Sequence, residues 1–353
     1  MIRIKMSSGE KLSEVIFHDE GIDKLLISIR ESLSGKSGFL FTDENVFRIY
    51  GERLLKGLGG MPHFVMPAGE EHKTEETLFA LLKHMSQANL LRTSVLIGVG
   101  GGIALDVGGL AASVYMRGIS HVHVPTTLLA QADSCIGGKT AINFQGIKNL
   151  VGTFYPPTKV YIEPEFLRSL PQREIRCGLG EIVKHGALCP EIFDLLMKNR
   201  SRLIELSFLK DAVPRSLAFK ASVIEQDPYE KGLRKILNLG HTTAHALEMS
   251  GNGLSHGENV LCGILLESVF LSRYSPDEAF LKHLRELCLE ALGGFPKLNL
   301  DEQALRAALL DKKNAETGKV SLVLVPAAGK YEFLELPLSE YLEGIKRAGR
   351  TLC

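Results

Sequence analysis

The stretch Ser94-Val-Leu-Ile-Gly-Val-Gly-Gly-Gly-Ile103 constrains this chain more than any other. A short apolar run passes straight into three consecutive glycines and then into small helix-forming residues, with Asp106 in the first helical turn. A buried strand that turns through glycine into a helix is one half of a βαβ unit. Glycines there let backbone N–H groups approach a pyrophosphate, and the helix dipole favours the anion. The match to G-x-G-x-x-G fails at its third glycine, which is Ile103, and the acidic residue expected about 20 positions later is missing from the next strand. The loop therefore reads either as a phosphate cradle or as a tight structural turn.

The flanking pattern supports the βαβ reading. Gly38–Thr42, His63–Met66, Ser94–Gly98 and His121–Val124 read as strands. Helical segments over 46–58, 74–88 and 103–116 separate them, so the sheet is expected to be mostly parallel. From about Pro164 the pattern turns mainly helical (191–206, 214–225, 277–291), with a hairpin-like piece at 319–325 and 330–336. Tyr155-Pro-Pro157 ends the alternation. The expected organisation is an α/β nucleotide-binding domain over 1–157 and a mainly α-helical domain over 158–353. Pro125-Thr-Thr127 adds hydroxyls at the sheet edge where open α/β folds bind ligands, although either threonine also suits a plain helix cap.

Composition narrows the function classes. The 353 residues carry 41 basic and 41 acidic side chains, and this balance argues against a general nucleic-acid binder. No apolar run approaches the ~18–20 residues of a membrane span. The segment MIRIKMSSGEKLSEV lacks the apolar core of a secretory signal. Six scattered cysteines, with no CxxC pair, read as free thiols in a reducing compartment. A cytoplasmic protein is expected.

Two constellations carry chemistry. Gly240-His-Thr-Thr-Ala-His245 puts two imidazoles on one helical face, His256-Gly-Glu258 follows, and Glu181-Ile-Val-Lys184 offers a carboxylate and an ammonium. Two imidazoles and a carboxylate with an open position make a catalytic zinc site. A protease reading fails because Thr-Thr-Ala between the histidines lacks the general-base glutamate. Singly, each histidine is as well read as a buried, hydrogen-bonded side chain. Cations also recur beside glycines and amides: Arg117, Lys139, Lys148, Lys184, Lys220, Arg234 and Lys312-Lys313. Any one lysine is a solvated face, and Lys312-Lys313 most easily so. A pocket collecting several would suit a substrate bearing phosphate and carboxylate.

Together these motifs resemble the 3-dehydroquinate synthase family. The residues carrying the resemblance are Pro67-Ala-Gly-Glu-Glu-His-Lys73, GVGGGIALD (98–106), Tyr115-Met-Arg-Gly118 and PTTLLAQADSCIGGKTAIN (125–143). Lys148-Asn-Leu-Val-Gly152, GLGEIVKHG (178–186), 232–241 and His256-Gly-Glu258 extend it over roughly residues 40 to 330. The resemblance implies a homodimer that holds NAD and a divalent metal, commonly zinc, with cobalt suiting the same ligands. It implies Glu181, His241 and His256 as metal ligands. Asp43, Glu70, Lys73, Gly101, Gly102, Asp106, Thr126, Thr127, Lys148 and the stretch near Phe166 would face NAD. Arg117, Asp133, Lys139, Asn149, Lys184, Lys220, Arg234, Asn238, His245 and one of Lys312 and Lys313 (Lys313 in the preferred assignment) would meet substrate. His245 thereby moves from candidate ligand to substrate contact.

The implied reaction converts 3-deoxy-D-arabino-heptulosonate 7-phosphate to 3-dehydroquinate and phosphate. Transient oxidation by NAD, β-elimination, re-reduction and an intramolecular aldol closure follow one another. Four departures from the family pattern stand out: Leu105 for glycine, Leu110 for phenylalanine, Gly180 for alanine, and Thr243-Ala244 for Phe-Gly. Altered packing rather than lost chemistry is expected, and Leu105 would weaken NAD binding if it narrows the nucleotide pocket. The rival readings are a related cyclase making a cyclitol, a metal-dependent polyol dehydrogenase, and a non-catalytic regulator on the same scaffold.

Overall fold

The computed structural model describes residues 2–8, 11–275, 277–300, 302–303, 305 and 318–352. Lys312 and Lys313 lie outside the described residues. The chain divides into two compact units, Met1–Leu170 with Ala221–Tyr229, and Pro171–Lys220 with Glu230–Cys353.

The first unit is α/β. In chain order it contains β1 (Ile2–Ser8), β2 (Lys11–Phe17), α1 (Ile22–Ser32), β3 (Gly38–Asp43), α2 (Glu44–Gly57), β4 (His63–Met66), α3 (Glu75–Gln87), β5 (Val95–Gly100), α4 (Gly102–Val114), β6 (Ser120–Pro125), the hairpin β7 (Lys139–Phe144) and β8 (Ile147–Phe154), and β9 (Lys159–Ile162). Seven strands form one sheet in the order β1-β2-β9-β6-β5-β3-β4. All neighbours are parallel except β1, which pairs antiparallel with β2. Side chains alternate between the faces, as strand geometry requires. Leu40, Ile97, Val99, Val122 and Val124 face a core shared with Leu25, Ile29, Tyr50 and Leu54 of α1 and α2. Phe39, Phe41 and Leu96 face the other core, against Leu81 and Met85 of α3 and Val107 and Ala111 of α4. Helices on both faces explain why β5 is buried at every residue.

The double proline at 156–157 ends the hairpin but not this unit. Just after it, Lys159–Ile162 inserts between β2 and β6 as a sheet strand. The return of 221–229 is marked by Tyr229, whose ring meets Phe154 edge-on at 5.6 Å. The β7–β8 hairpin turns through Gln145 and Gly146, both at positive φ (49° and 77°), a geometry suited to a two-residue connection.

The second unit is mainly helical. It holds α5 (Gln172–Leu188), α6 (Pro190–Lys198), most of α7 (Leu206–Gln226), α8 (His241–Met249), α9 (His256–Phe270) and α10 (Glu278–Leu292). An antiparallel hairpin, β10 (Lys319–Ala327) and β11 (Lys330–Pro337), precedes α11 (Leu338–Leu352). Leu247, Leu266, Phe270, Leu322, Tyr341 and Ile345 join α8, α9, α11 and the hairpin in one core. No described helix is long and apolar enough to cross a membrane.

One buried histidine in the sheet gives the fold an acid sensitivity. His123 of β6 donates through Nδ1 to the Cys135 carbonyl at 3.0 Å, and burial lowers its pKa to about 4. The unfolded chain takes up that proton first, so stability should fall as pH drops from about 6.5 to about 4. Urea unfolding across this window should show a loss on the order of 3 kcal/mol from this group. The loss should be smaller in His123→Phe, and the His123 ring resonances should titrate near pH 4.

Candidate active site

In the first unit, the candidate residues gather at one edge of the sheet. Parallel strands all end on the same side, and ligands bind beyond those carboxyl ends. Asp43 closes β3, Glu70 and Lys73 follow β4, Gly101 and Gly102 follow β5, and Thr126 and Thr127 follow β6. Their strands are neighbours, in the order β4-β3-β5-β6. The loop is drawn tight. A Cβ on Gly100 would stand 3.1 Å from Asp43 Oδ2, and one on Gly101 would stand 3.0 Å from Thr127 Cγ2. No side chain caps α4, which leaves its first amides turned to whatever lies beyond the loop. This combination of uncapped helix and missing Cβ atoms fits a dinucleotide phosphate. Asp43 caps α2 through Asn45 and Val46, and burial raises its pKa despite those bonds.

Behind the loop runs a polar chain. Buried Lys73 donates to Asp106 Oδ2 at 2.7 Å and to Asn149 Oδ1 at 2.6 Å. Asn143 accepts from the Asn149 backbone N–H and donates to Glu70 Oε1 at 2.9 Å. Asn149 and Arg117 hold φ of 55° and 65°, in the left-handed region that asparagine tolerates and that costs energy in an arginine. Asp133 lies in a single π-helical turn, Ala130–Ser134. Lys139 and Lys148 are exposed on the hairpin. Phe166 differs from what the resemblance implies: its ring is wholly buried and meets Tyr50 edge-on at 5.1 Å, so it is core. Any ligand contact from this stretch falls to its neighbours.

In the second unit, three helices converge on one carboxylate. Glu181 of α5 is 1% exposed, and its Oε1 lies 3.5 Å from His241 Nε2 and 3.3 Å from His256 Nε2. Lys184, one turn on, pairs with its Oε2. His241 donates through Nδ1 to the Leu239 carbonyl at 3.1 Å, and His256 through Nδ1 to Glu248 Oε1 at 2.8 Å. Those bonds fix each ring with Nε2 toward the carboxylate, as hydrogen bonds to the far ring nitrogen do for metal-binding histidines. The three ligand atoms lie within 4.8 Å of one another. One carboxylate and two imidazoles fit a divalent ion with positions left over.

The electrostatics suit the same group. Burial, with the nearby Lys184 ammonium, pushes His241 down to about 3, so it stays neutral and able to ligate. Burial also disfavours charge on His256, but the Glu181 and Glu248 carboxylates outweigh it and raise its pKa to about 10. A cation placed between them would take over that proton's role.

His245, four residues from His241, is exposed and outside the trio; its ring stands 5.8 Å from that of His241. The i, i+4 pair that stood out in the sequence is thus not the pair whose Nε2 atoms meet Glu181. Lys220 and Arg234 are buried in the same unit, and Asn238 donates to Glu230 Oε1 at 3.0 Å. Sequence reasoning passed over Glu248 and Asn143. Glu248 could have been found, because it shares a helix face with His241 and His245 at the i+7 position. Asn143 acts through long-range partners that no spacing reveals.

Comparison with known proteins decides the family. The 3-dehydroquinate synthase N-terminal profile matches residues 63–177 and the C-terminal profile residues 178–314. The chain belongs to the 3-dehydroquinate synthase family. A 3-dehydroquinate synthase of Alkaliphilus oremlandii (strain OhILAs) is 35% identical over 358 residues, covering 98% of each chain. Among solved structures, 2-epi-5-epi-valiolone synthase from Streptomyces hygroscopicus subsp. jinggangensis 5008, with NAD+ and Zn2+ bound, is 28% identical with a TM-score of 0.85 and 98% coverage of both chains. A 2-deoxy-scyllo-inosose synthase complexed with carbaglucose-6-phosphate, NAD+ and Co2+ shares the fold, with a TM-score of 0.86, 24% identity, and coverage of 98% of this chain and 100% of that one.

The family departures resolve into packing. Leu105 and Leu110 are buried in α4, and Leu105 covers Gly98 of β5 rather than lining the loop. Gly180 permits close helix contact, since a Cβ there would stand 2.4 Å from the Gly257 carbonyl oxygen. The same contact is tighter from the other side: a Cβ on Gly257 would fall 1.7 Å from the Cys177 carbonyl oxygen. Gly257→Ala must therefore force α5 and α9 apart beside His256. A loss of roughly 1–3 kcal/mol is expected in urea unfolding, the cost of overpacking. Gly232 has open space around it, but its backbone (φ −150°, ψ −96°) lies outside the regions that L side chains populate, so Gly232→Ala should also destabilise, by roughly 1–3 kcal/mol, through strain rather than overpacking.

Proposed function

We propose that this chain converts 3-deoxy-D-arabino-heptulosonate 7-phosphate to 3-dehydroquinate and phosphate, the reaction of its family. The observation that carries the reading is the convergence of Glu181, His241 and His256, with each imidazole already aimed by its own Nδ1 partner. The product is the substrate less phosphoric acid, so the reaction is redox-neutral overall and needs no external reductant. A divalent ion, when bound by the trio, would supply Lewis acidity to a substrate hydroxyl, while NAD at the β3-β5-β6 edge would take up a hydride and give it back.

The chain's own residues would do the rest. Asp43, Glu70, Lys73, Gly101, Gly102, Asp106, Thr126, Thr127 and Lys148 would hold the dinucleotide. Lys184, already paired with Glu181 across one helical turn, would hold that carboxylate in place beside the substrate. Lys139, Arg117 and Lys220 would bind phosphate, and Arg234 the carboxylate, through charge-assisted bonds. Asn149, Asp133 and Asn238 would orient the ring hydroxyls. His245, exposed at the second turn of α8, would shuttle a proton near the departing phosphate. Zinc suits the donor set, and cobalt satisfies the same ligands.

We also read the chain as a cytoplasmic homodimer. Strand β8 is exposed along its whole length and bears Ile147, Leu150, Val151 and Phe154, an apolar edge of the kind a second copy covers. Sedimentation equilibrium should give twice the 38.7 kDa chain mass; a monomer at micromolar concentration would refute the dimer.

The decisive experiment is phosphate release from the heptulosonate phosphate with purified protein, zinc and catalytic NAD. Release should proceed without net NADH, and both Glu181→Ala and Lys139→Ala should lower kcat by about 10²-fold or more. Stoichiometric NADH would point to a polyol dehydrogenase, and turnover of sedoheptulose 7-phosphate instead would point to a cyclitol-forming cyclase. No phosphate despite bound NAD and zinc would favour the regulator.

A further inference from the structure

Helix α8 begins without a local cap. Its N-cap is Gly240, at φ 74°, which has no side chain to accept the first amides. An uncapped helix end buried in protein needs acceptors from elsewhere. Glu267 supplies them from α9. Its Oε2 accepts from the Gly240 N–H at 3.3 Å, and its Oε1 accepts from the Thr243 N–H at 3.4 Å and the Thr243 hydroxyl at 2.7 Å. The same hydroxyl lies 2.7 Å from the Tyr341 hydroxyl on α11. Glu267, Thr243 and Tyr341 are all buried. Thr243 is also one of the four positions where this chain departs from its family.

We infer that Glu267 is a positioning residue for His241, capping α8 from a neighbouring helix and thereby setting where that imidazole stands against Glu181 and His256. The geometry makes the link specific. His241 is the first residue of α8, between the two amides that Glu267 holds, whereas His245 sits a turn further along. His256 begins α9, the helix that carries Glu267, so one carboxylate ties the two histidine helices together. Thr243 joins the cap to α11 and fixes the direction in which the carboxylate points. Losing the cap frays the first turn, and with it His241, before it disturbs anything else on α8.

This inference rests on the reading of Glu181, His241 and His256 as a metal site, and its test separates the two. Zinc affinity is measured by competition with a chromophoric chelator for the parent, Glu181→Ala, Glu267→Gln and Thr243→Val proteins. Backbone amide exchange at Gly240 and Thr243 is followed in the metal-free proteins. Glu267→Gln keeps the shape but offers one acceptor oxygen to three donors. It should lose about tenfold in zinc affinity, at the lower end for residues that support metal ligands, and its two amides should exchange faster. Thr243→Val should shift both readouts in the same direction by less. If the parent binds no zinc, or Glu181→Ala binds it equally well, the metal reading fails and this inference falls with it. If the parent binds zinc and Glu267→Gln matches its affinity, the positioning role is overturned and the metal site stands, whatever the melting temperature does. Should Glu267→Gln not fold, Thr243→Val decides alone, and unchanged zinc affinity overturns the proposal.

Discussion

A carboxylate that is 1% exposed cannot remain ionised in a protein interior without cations or donors around it, and the second unit is organised by that requirement at Glu181. Lys184 meets one oxygen, and the two imidazoles meet the other. These groups come from three separate helices, so α5, α8 and α9 must approach more closely than ordinary side chains allow. Glycine makes this possible at both crossings. Gly180 and Gly257 let α5 lie against α9, while Gly240 and Gly263 do the same for α8 and α9; a Cβ on Gly263 would fall 2.1 Å from the Gly240 carbonyl oxygen. The backbone is brought close so that three short side chains can share one point.

The first unit solves a different problem by a different route. Its glycine loop presents amides and missing side chains, a form suited to a phosphate, which the parallel sheet delivers to one edge without further design. Precision comes from the Lys73 network, which links Asp106 of α4 to Asn149 of the hairpin through a single buried ammonium. Asn149 sits there at positive φ, its amide oxygen held by Lys73 and its backbone N–H by Asn143, so its side chain keeps one orientation.

The parallel sheet was readable because β3, β4, β5 and β6 are bounded by glycine and proline and separated by periodic helices. β9 was hidden, since four residues after a double proline carry no periodicity and gain strand character only by inserting between β2 and β6. The hairpin β7–β8 was likewise unread: its second strand is exposed throughout and lacks a buried alternation. At the site, the motifs identified Glu181, His241 and His256 only through family resemblance. Spacing alone favoured His241 with His245, because helical periodicity reports a shared face and not which atoms converge from other helices. Phe166 shows the converse limit. A residue in a ligand-bearing stretch can still belong to the core, and only packing tells which.

The four departures share a physical character that bears on how such a site can drift. Leu110 exchanges one buried apolar side chain for another within α4, and Leu105 adds a buried one where the family has none. Gly180 leaves out a methyl group where two backbones touch, at the crossing of α5 with the helix that carries His256. Thr243 replaces an apolar ring with a hydroxyl, a change that would strand a buried polar atom unless partners accompanied it. Glu267 and Tyr341 are those partners. Each departure therefore lies in the packing rather than among the groups that would touch metal or nucleotide. The candidate ligands themselves have no such latitude: a change of donor atom at Glu181, His241 or His256 cannot be compensated by repacking, because what is lost is the electron pair itself.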